Sequence, residues 1–170
     1  VTSLAPASLA AGATSQSVVI TGTGFVTGAV ASFTGTGITV NSTTFTSATS
    51  ITANVTVSAG ATLGVSDVTV TNPDAGNRTL VGGFTVVAPA TVTAASPTSV
   101  GVGAVTKTIT VNGTNFLPTS TVAFSGTGIT VNSVTFGSAT SLGVVVTIAT
   151  TATLGVRNVT VTSGGLPVTL

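Results

Sequence analysis

Five residues carry all the side-chain charge of this 170-residue chain: Asp67, Asp74, Arg78, Lys107 and Arg157. A calcium site needs clustered oxygen ligands, usually with several carboxylates, and Asp67 and Asp74 stand apart in the sequence with no third acid to join them. Asp74 reads instead as a turn residue in Asn72-Pro73-Asp74-Ala75-Gly76. Nucleophilic catalysis needs a base to activate the attacking group; the many Ser and Thr hydroxyls have no His, Cys or Glu anywhere in the chain to serve them. Three scattered bases cannot supply the run of phosphate contacts that dominates nucleic-acid affinity. The Gly-Thr-Gly segments at Gly22–Gly24, Gly35–Gly37 and Gly126–Gly128 lack the spacing of a phosphate loop and precede no helical pattern, so they read as turns. The expectation is a chain with no catalytic residue, no metal, no cofactor and no nucleic-acid partner.

One kind of chemistry stays open. Asn41, Asn54, Asn77, Asn112 and Asn158 each begin an Asn-x-Ser/Thr triplet, the acceptor pattern for N-linked sugar. Strand parity turns Asn54, Asn112 and Asn158 outward, and Asn77 follows a turn. These are candidate N-glycosylation sites, against the plainer reading of polar residues on solvent faces.

The elements that would carry these residues are strands. Hydrophobic residues make up 42% of the chain and charged ones 3%, against about 25% charged in an ordinary soluble domain. Val, Ile, Thr and Phe recur with a period of two, giving expected strands at Val1–Leu4, Ser17–Thr21, Ala29–Phe33, Ile38–Val40, Thr43–Thr46, Ile51–Val57, Val65–Thr71 and Gly83–Val87. No stretch has helical spacing with a cap. Lys107 to Arg157 encloses no charge, but its Thr, Gly, Ser and Asn content and its alternation argue against a membrane helix, so no membrane insertion is expected.

The pattern occurs twice. Shifting the sequence by 91 positions lays Val1–Thr79 on Val92–Leu170 without a gap, with 35 of 79 pairs identical. Residues 1–89 and 90–170 are therefore two homologous domains, joined through the Pro-containing Val87–Ala90. Short strands separated by turn signals over about 90 residues point to an all-β fold of two tandem immunoglobulin-like antiparallel sandwiches. Phe25, Phe33 and Phe45 repeat as Phe116, Phe124 and Phe136 and are expected as core anchors. Phe84, in the last strand of the first domain, is expected as a seventh anchor and has no counterpart. The second domain thus lacks its closing strand within this sequence. An empty position would leave backbone groups and an apolar groove uncovered. Two sources could fill it: further chain of a longer repeat array, or a strand donated by a neighbouring subunit.

Ser17–Phe25 (SVVITGTGF), Thr62–Asn72 (TLGVSDVTVTN), Gly83-Phe84-Thr85-Val86 and the opening Val-Thr-x-x-x-Pro at Val1–Pro6 and Val92–Pro97 resemble the IPT/TIG immunoglobulin-like domain family, in two copies of a microbial surface-protein type. The family's Gly-Gly pair before the second strand is replaced by Ala11-Gly12 and Val102-Gly103. Such domains occur in receptors, transcription factors, carbohydrate-active enzymes and microbial surface proteins. Together with the low charge, the resemblance implies a non-enzymatic extracellular or cell-surface structural protein, a subunit or repeat segment of a filament, stalk or array. Its expected partners are further copies of itself, joined head to tail into a homopolymer by strand addition, and glycans. The alternative is an adhesive or carbohydrate-contacting binding module, or a spacer of a larger surface protein or secreted enzyme.

Overall fold

A computed structural model describes all 170 residues, which divide into two units, Val1–Ala88 and Pro89–Leu170. The first holds β1 (Ser3–Ala5), β2 (Ser8–Ala10), β3 (Gln16–Thr21), β4 (Val30–Phe33), β5 (Ile38–Ser47), β6 (Ser50–Val57), β7 (Gly64–Thr71) and β8 (Asn77–Val87). Two four-stranded sheets result, ordered β1-β3-β6-β5 and β2-β8-β7-β4. In immunoglobulin terms these are the ABED and CFG sheets, with the first strand split so that β1 pairs antiparallel with β3 and β2 pairs parallel with β8. The chain crosses from one sheet to the other through a cis Ala5-Pro6 bond.

Alternation decides which side chains meet between the sheets. Ile51, Ala53, Val55 and Val57 on β6 are fully buried while the residues between them are half-buried, and Val68 and Val70 on β7 follow the same rule. Phe25 and Phe84 are buried with them, and Phe33 and Phe45 pack partly buried against this core. The expected strands at Ile38–Val40 and Thr43–Thr46 form one strand, β5, because shifts of register between Val40 and Ser42 and between Phe45 and Ser47 absorb the irregularity as bulges. β2 was not visible in the sequence; three residues, Ser-Leu-Ala, are too few to show a period.

The second unit holds β9 (Thr91–Ser96), β10 (Lys107–Thr114), β11 (Thr121–Phe124), β12 (Ile129–Ser138), β13 (Ser141–Ile148), β14 (Val159–Ser163) and β15 (Leu166–Thr169). Its sheets are β12-β13-β10-β9 and the three-stranded β11-β14-β15. The fold is therefore all-β, two immunoglobulin-like sandwiches in tandem, with no helix in either. The same bulges recur in β12, between Val131 and Ser133 and between Phe136 and Ser138.

Two expectations need correction. Phe116 is buried and Phe124 partly so, but Phe136 is 37% exposed and is no core anchor. It sits at a bulge on the edge strand β12, as Phe45 does on β5, but unlike Phe45 it does not pack against the core of its unit. The gap-free alignment also fails at its end. Thr69 pairs with Thr79 in the first unit, whereas its counterpart Thr160 pairs with Thr169. The hairpin of the second unit is one residue shorter because Gly164 and Gly165, at φ of 58° and 78°, make a two-residue turn, where the first unit needs Asn72–Gly76. Leu170 consequently exchanges both backbone hydrogen bonds with Val159, at 2.9 and 3.2 Å, in the position that Leu80 holds opposite Val68. Even the hydroxyl pair between these strands repeats, Thr69 with Thr79 at 2.7 Å and Thr160 with Thr169 at 2.9 Å.

Candidate functional site

The residues first considered for chemistry serve the backbone. Asp67 Oδ1 accepts the Gly82 N–H at 2.8 Å, bracing the register shift between Ser66 and Val68, and Asp74 Oδ1 accepts the Gly76 N–H at 2.9 Å within its turn. Gly35, Gly37, Gly126 and Gly128 have φ between 80° and 99°, and a Cβ on Gly37 or Gly128 would come within 2.7 Å of the Ala61 or Ala152 backbone. These turns need glycine for both reasons. Every buried side-chain polar atom has a hydrogen-bond partner, so no unsatisfied group points to an internal ligand.

The candidate glycosylation sites separate by environment. Asn41 Nδ2 donates to Asn54 Oδ1 at 2.6 Å and to Thr56 Oγ1 at 2.9 Å, and Asn54 Nδ2 donates to the Ser15 carbonyl at 3.1 Å. A sugar on either would have to displace these bonds. Asn112 is half-buried within β10, whereas Asn77 and Asn158 are exposed.

The second unit has an open, mostly apolar cavity of about 730 Å³. The first unit shows what normally stands there. The second half of β8 runs antiparallel to the start of β7, pairing Phe84, Thr85 and Val86 with Ser66, Val65 and Gly64, and parallel to β2, pairing Thr85, Val86 and Val87 with Ser8, Leu9 and Ala10. Phe84 is fully buried and meets Phe33 edge to face, with ring centroids 4.9 Å apart. One strand thus closes the sheet, completes the core and holds β2 in place.

Residues 1–170 contain no counterpart of that strand in the second unit. Gly155–Asn158, the counterparts of Gly64–Asp67, lie outside any strand, and Ser99–Gly101, the counterparts of β2, do too. Burial follows. Leu9 and Ala11 are 1% and 3% exposed, while Val100 is half-buried and Val102 is 45% exposed. Val100, Ile109, Phe124, Ile129 and Ile148 line the slot. Val156, like its counterpart Val65, points to solvent in either case.

Arg157, in the place of Ser66, is the only charged residue lining this slot. Its guanidinium donates to the Thr153 carbonyl beside Gly126, where an added Cβ would collide with it. The aliphatic stem of Arg157 contributes to the wall of the cavity. Sequence reasoning located the missing strand but not Arg157 or the shortened hairpin. A signal for the latter existed: no identities follow Thr71 in the 91-residue alignment, yet Thr79-Leu80 reappears as Thr169-Leu170.

No family model matches this chain, and no curated protein matches it either. Among solved structures it is similar to InvD of Yersinia pseudotuberculosis, at 21% identity over 98% of this chain and 56% of that one, with a TM-score of 0.33. It is also similar to invasin, a bacterial integrin-binding protein, at 17% identity over 94% of this chain and 35% of that one, TM-score 0.35. A third is SGBP-B of the Bacteroides ovatus mixed-linkage glucan utilization locus, in complex with a mixed-linkage heptasaccharide, at 15% identity over 94% of this chain and 38% of that one, TM-score 0.34. The chain spans about half of the first structure and about a third of the others. Likenesses this distant carry no argument about its role.

Proposed function

We propose that this chain is a non-enzymatic structural segment of an extracellular microbial stalk, array or filament, built from two domains of the IPT/TIG type. The observation that carries the reading is the pair of successive immunoglobulin-like sandwiches with almost no charge on their solvent faces. Those faces carry Thr and Asn, hydrogen-bonded across strands as in Thr91 with Thr114 at 2.9 Å and Asn132 with Thr147 at 2.8 Å. A free domain near zero net charge tends to associate, whereas a segment covered by neighbours or sugars needs little charge to stay dispersed. Cross-strand hydroxyl pairs and apolar burial, neither dependent on charge, hold each sandwich together.

Electron microscopy of native surface material labelled with an antibody against this chain tests the proposal. Label repeating along extended stalks or filaments is the expected result. Label confined to a dispersed monomer, with binding on a glycan array, would replace this reading by that of an adhesive or carbohydrate-contacting module.

A further inference from the structure

We propose that Asn77 is a site of N-linked glycosylation, the one among the first unit's three acceptor triplets where an attached sugar leaves the native sheets intact. The inference goes beyond the stalk reading and does not rest on it.

The three triplets begin at Asn41, Asn54 and Asn77. Glycosylation replaces one hydrogen of the side-chain amide nitrogen, so what that nitrogen does in the folded protein separates them. Asn41 Nδ2 uses its hydrogens on Asn54 Oδ1 and Thr56 Oγ1, and Asn54 Nδ2 donates to the Ser15 carbonyl. These bonds tie β5 to β6 and β6 to the residue before β3, and a sugar on either nitrogen breaks into them. Asn77 is exposed, and its contacts are made by its backbone: it pairs with Thr71, and its carbonyl accepts from Arg78 at 2.8 Å. Its amide is free to carry a substituent.

The hairpin that presents Asn77 is held from below. Asn72 Nδ2 donates to the Gly24 carbonyl at 2.8 Å, Asn72 Oδ1 accepts the Val26 N–H at 3.4 Å, and the Asn72 N–H donates to the Gly76 carbonyl at 2.8 Å. The turn is therefore fixed while the side chain after it points away. Register gives the direction. Asn77 stands opposite Thr71, and Thr71 opposite Val30, so the three side chains form one row on the outer face of the sheet. Thr79, Thr69 and Ser32 form the next row. Val30 is 57% exposed. With strands about 4.7–4.9 Å apart, Val30 lies roughly 10 Å from Asn77, so a short sugar chain running over Thr71 would cover it. Such a chain is bulky and solubilising, the service that charge performs on ordinary surfaces and that five charged side chains cannot give this one.

The donor is an oligosaccharide carried on a lipid pyrophosphate. In the transfer, Asn77 Nδ2 bonds to the anomeric carbon, the bond from that carbon to the pyrophosphate oxygen breaks, the pyrophosphate leaves on its lipid, and Nδ2 gives up one proton. No oxidant or reductant is needed.

The test is a peptide map of the chain recovered from native surface material, with fragmentation that keeps a sugar on its residue. Occupancy at Asn77 should exceed that at Asn41 or Asn54 at least tenfold. A bare Asn77 peptide overturns the proposal, as does equal occupancy at Asn41 or Asn54, or a sugar located on Thr79 in place of Asn77. Two variants made in the same source sharpen the result: Thr79→Val should lose the sugar from Asn77 and Thr79→Ser should keep it, with circular dichroism showing both folded. Retention of the sugar in Thr79→Val would also overturn the proposal. Microscopy that finds no stalk would defeat the functional reading and leave this result standing.

Discussion

Leu9 and Phe84 are buried in the first sandwich, whereas Val100 is half-buried and Phe124 lines an open cavity in the second. The sheet on the far side of the core behaves alike in both units, although Ile109, Ile129 and Ile148 of the second unit line the slot. β6 and β13 have the same alternating burial along their length, and β5 and β12 bulge at matching residues. The difference shows how far one strand's influence extends. Without the second half of a β8 strand, four residues of the neighbouring β7 pattern and all of the β2 pattern lose regular structure, although Leu63-Gly64-Val65 is repeated unchanged as Leu154-Gly155-Val156. Strand propensity is therefore not sufficient at these positions; the partner strand makes them strands.

The largest change should come from making the first unit resemble the second. Phe84→Ala removes a fully buried ring and should cost roughly 3–5 kcal/mol, read as a lower melting transition for the first unit in calorimetry. The opposite change, appending Val81–Val87 after Leu170, should stabilise the second unit by about 1.5–3 kcal/mol from burial of the aromatic alone, seen as a higher denaturation midpoint. A sharper comparison sets Phe33→Ala against Phe124→Ala. Only Phe33 has an edge-to-face partner, so its loss should cost more by about 0.5–1.5 kcal/mol; equal costs would mean that the second sandwich holds its ring as tightly as the first. The smallest effect concerns a feature both units share. Thr69→Val and Thr160→Val each break one exposed cross-strand hydroxyl pair and should each cost about 0.2–1 kcal/mol, measured by urea denaturation.

Much of this was legible in the sequence because it depends on local alternation and on repetition. Ile51 to Val57 announces a strand with one buried face, and the copy at Leu142 to Ile148 repeats the announcement with different residues. Other features depend on three-dimensional partners. β2 exists because β8 lies beside it, and Phe136 differs from Phe45 in burial although both sit at the same bulge of an edge strand. The shortened hairpin lay between these cases: Gly164-Gly165 is a strong turn signal, but it was hidden by an alignment carried one element too far.

The central claim is that within residues 1–170 the strand partner of Gly64–Ser66, and not strand propensity alone, orders that segment, since its counterpart Gly155–Arg157 has no such partner there. Native-state hydrogen exchange on the unmodified chain tests it most directly, by comparing the amides of Gly64–Ser66 with those of Gly155–Arg157. The account predicts strong protection where β8 covers Gly64–Ser66 and exchange at least tenfold faster at Gly155–Arg157. Equal, slow exchange in both segments at low protein concentration would show that Gly155–Arg157 needs no strand partner to be ordered, and would contradict the account.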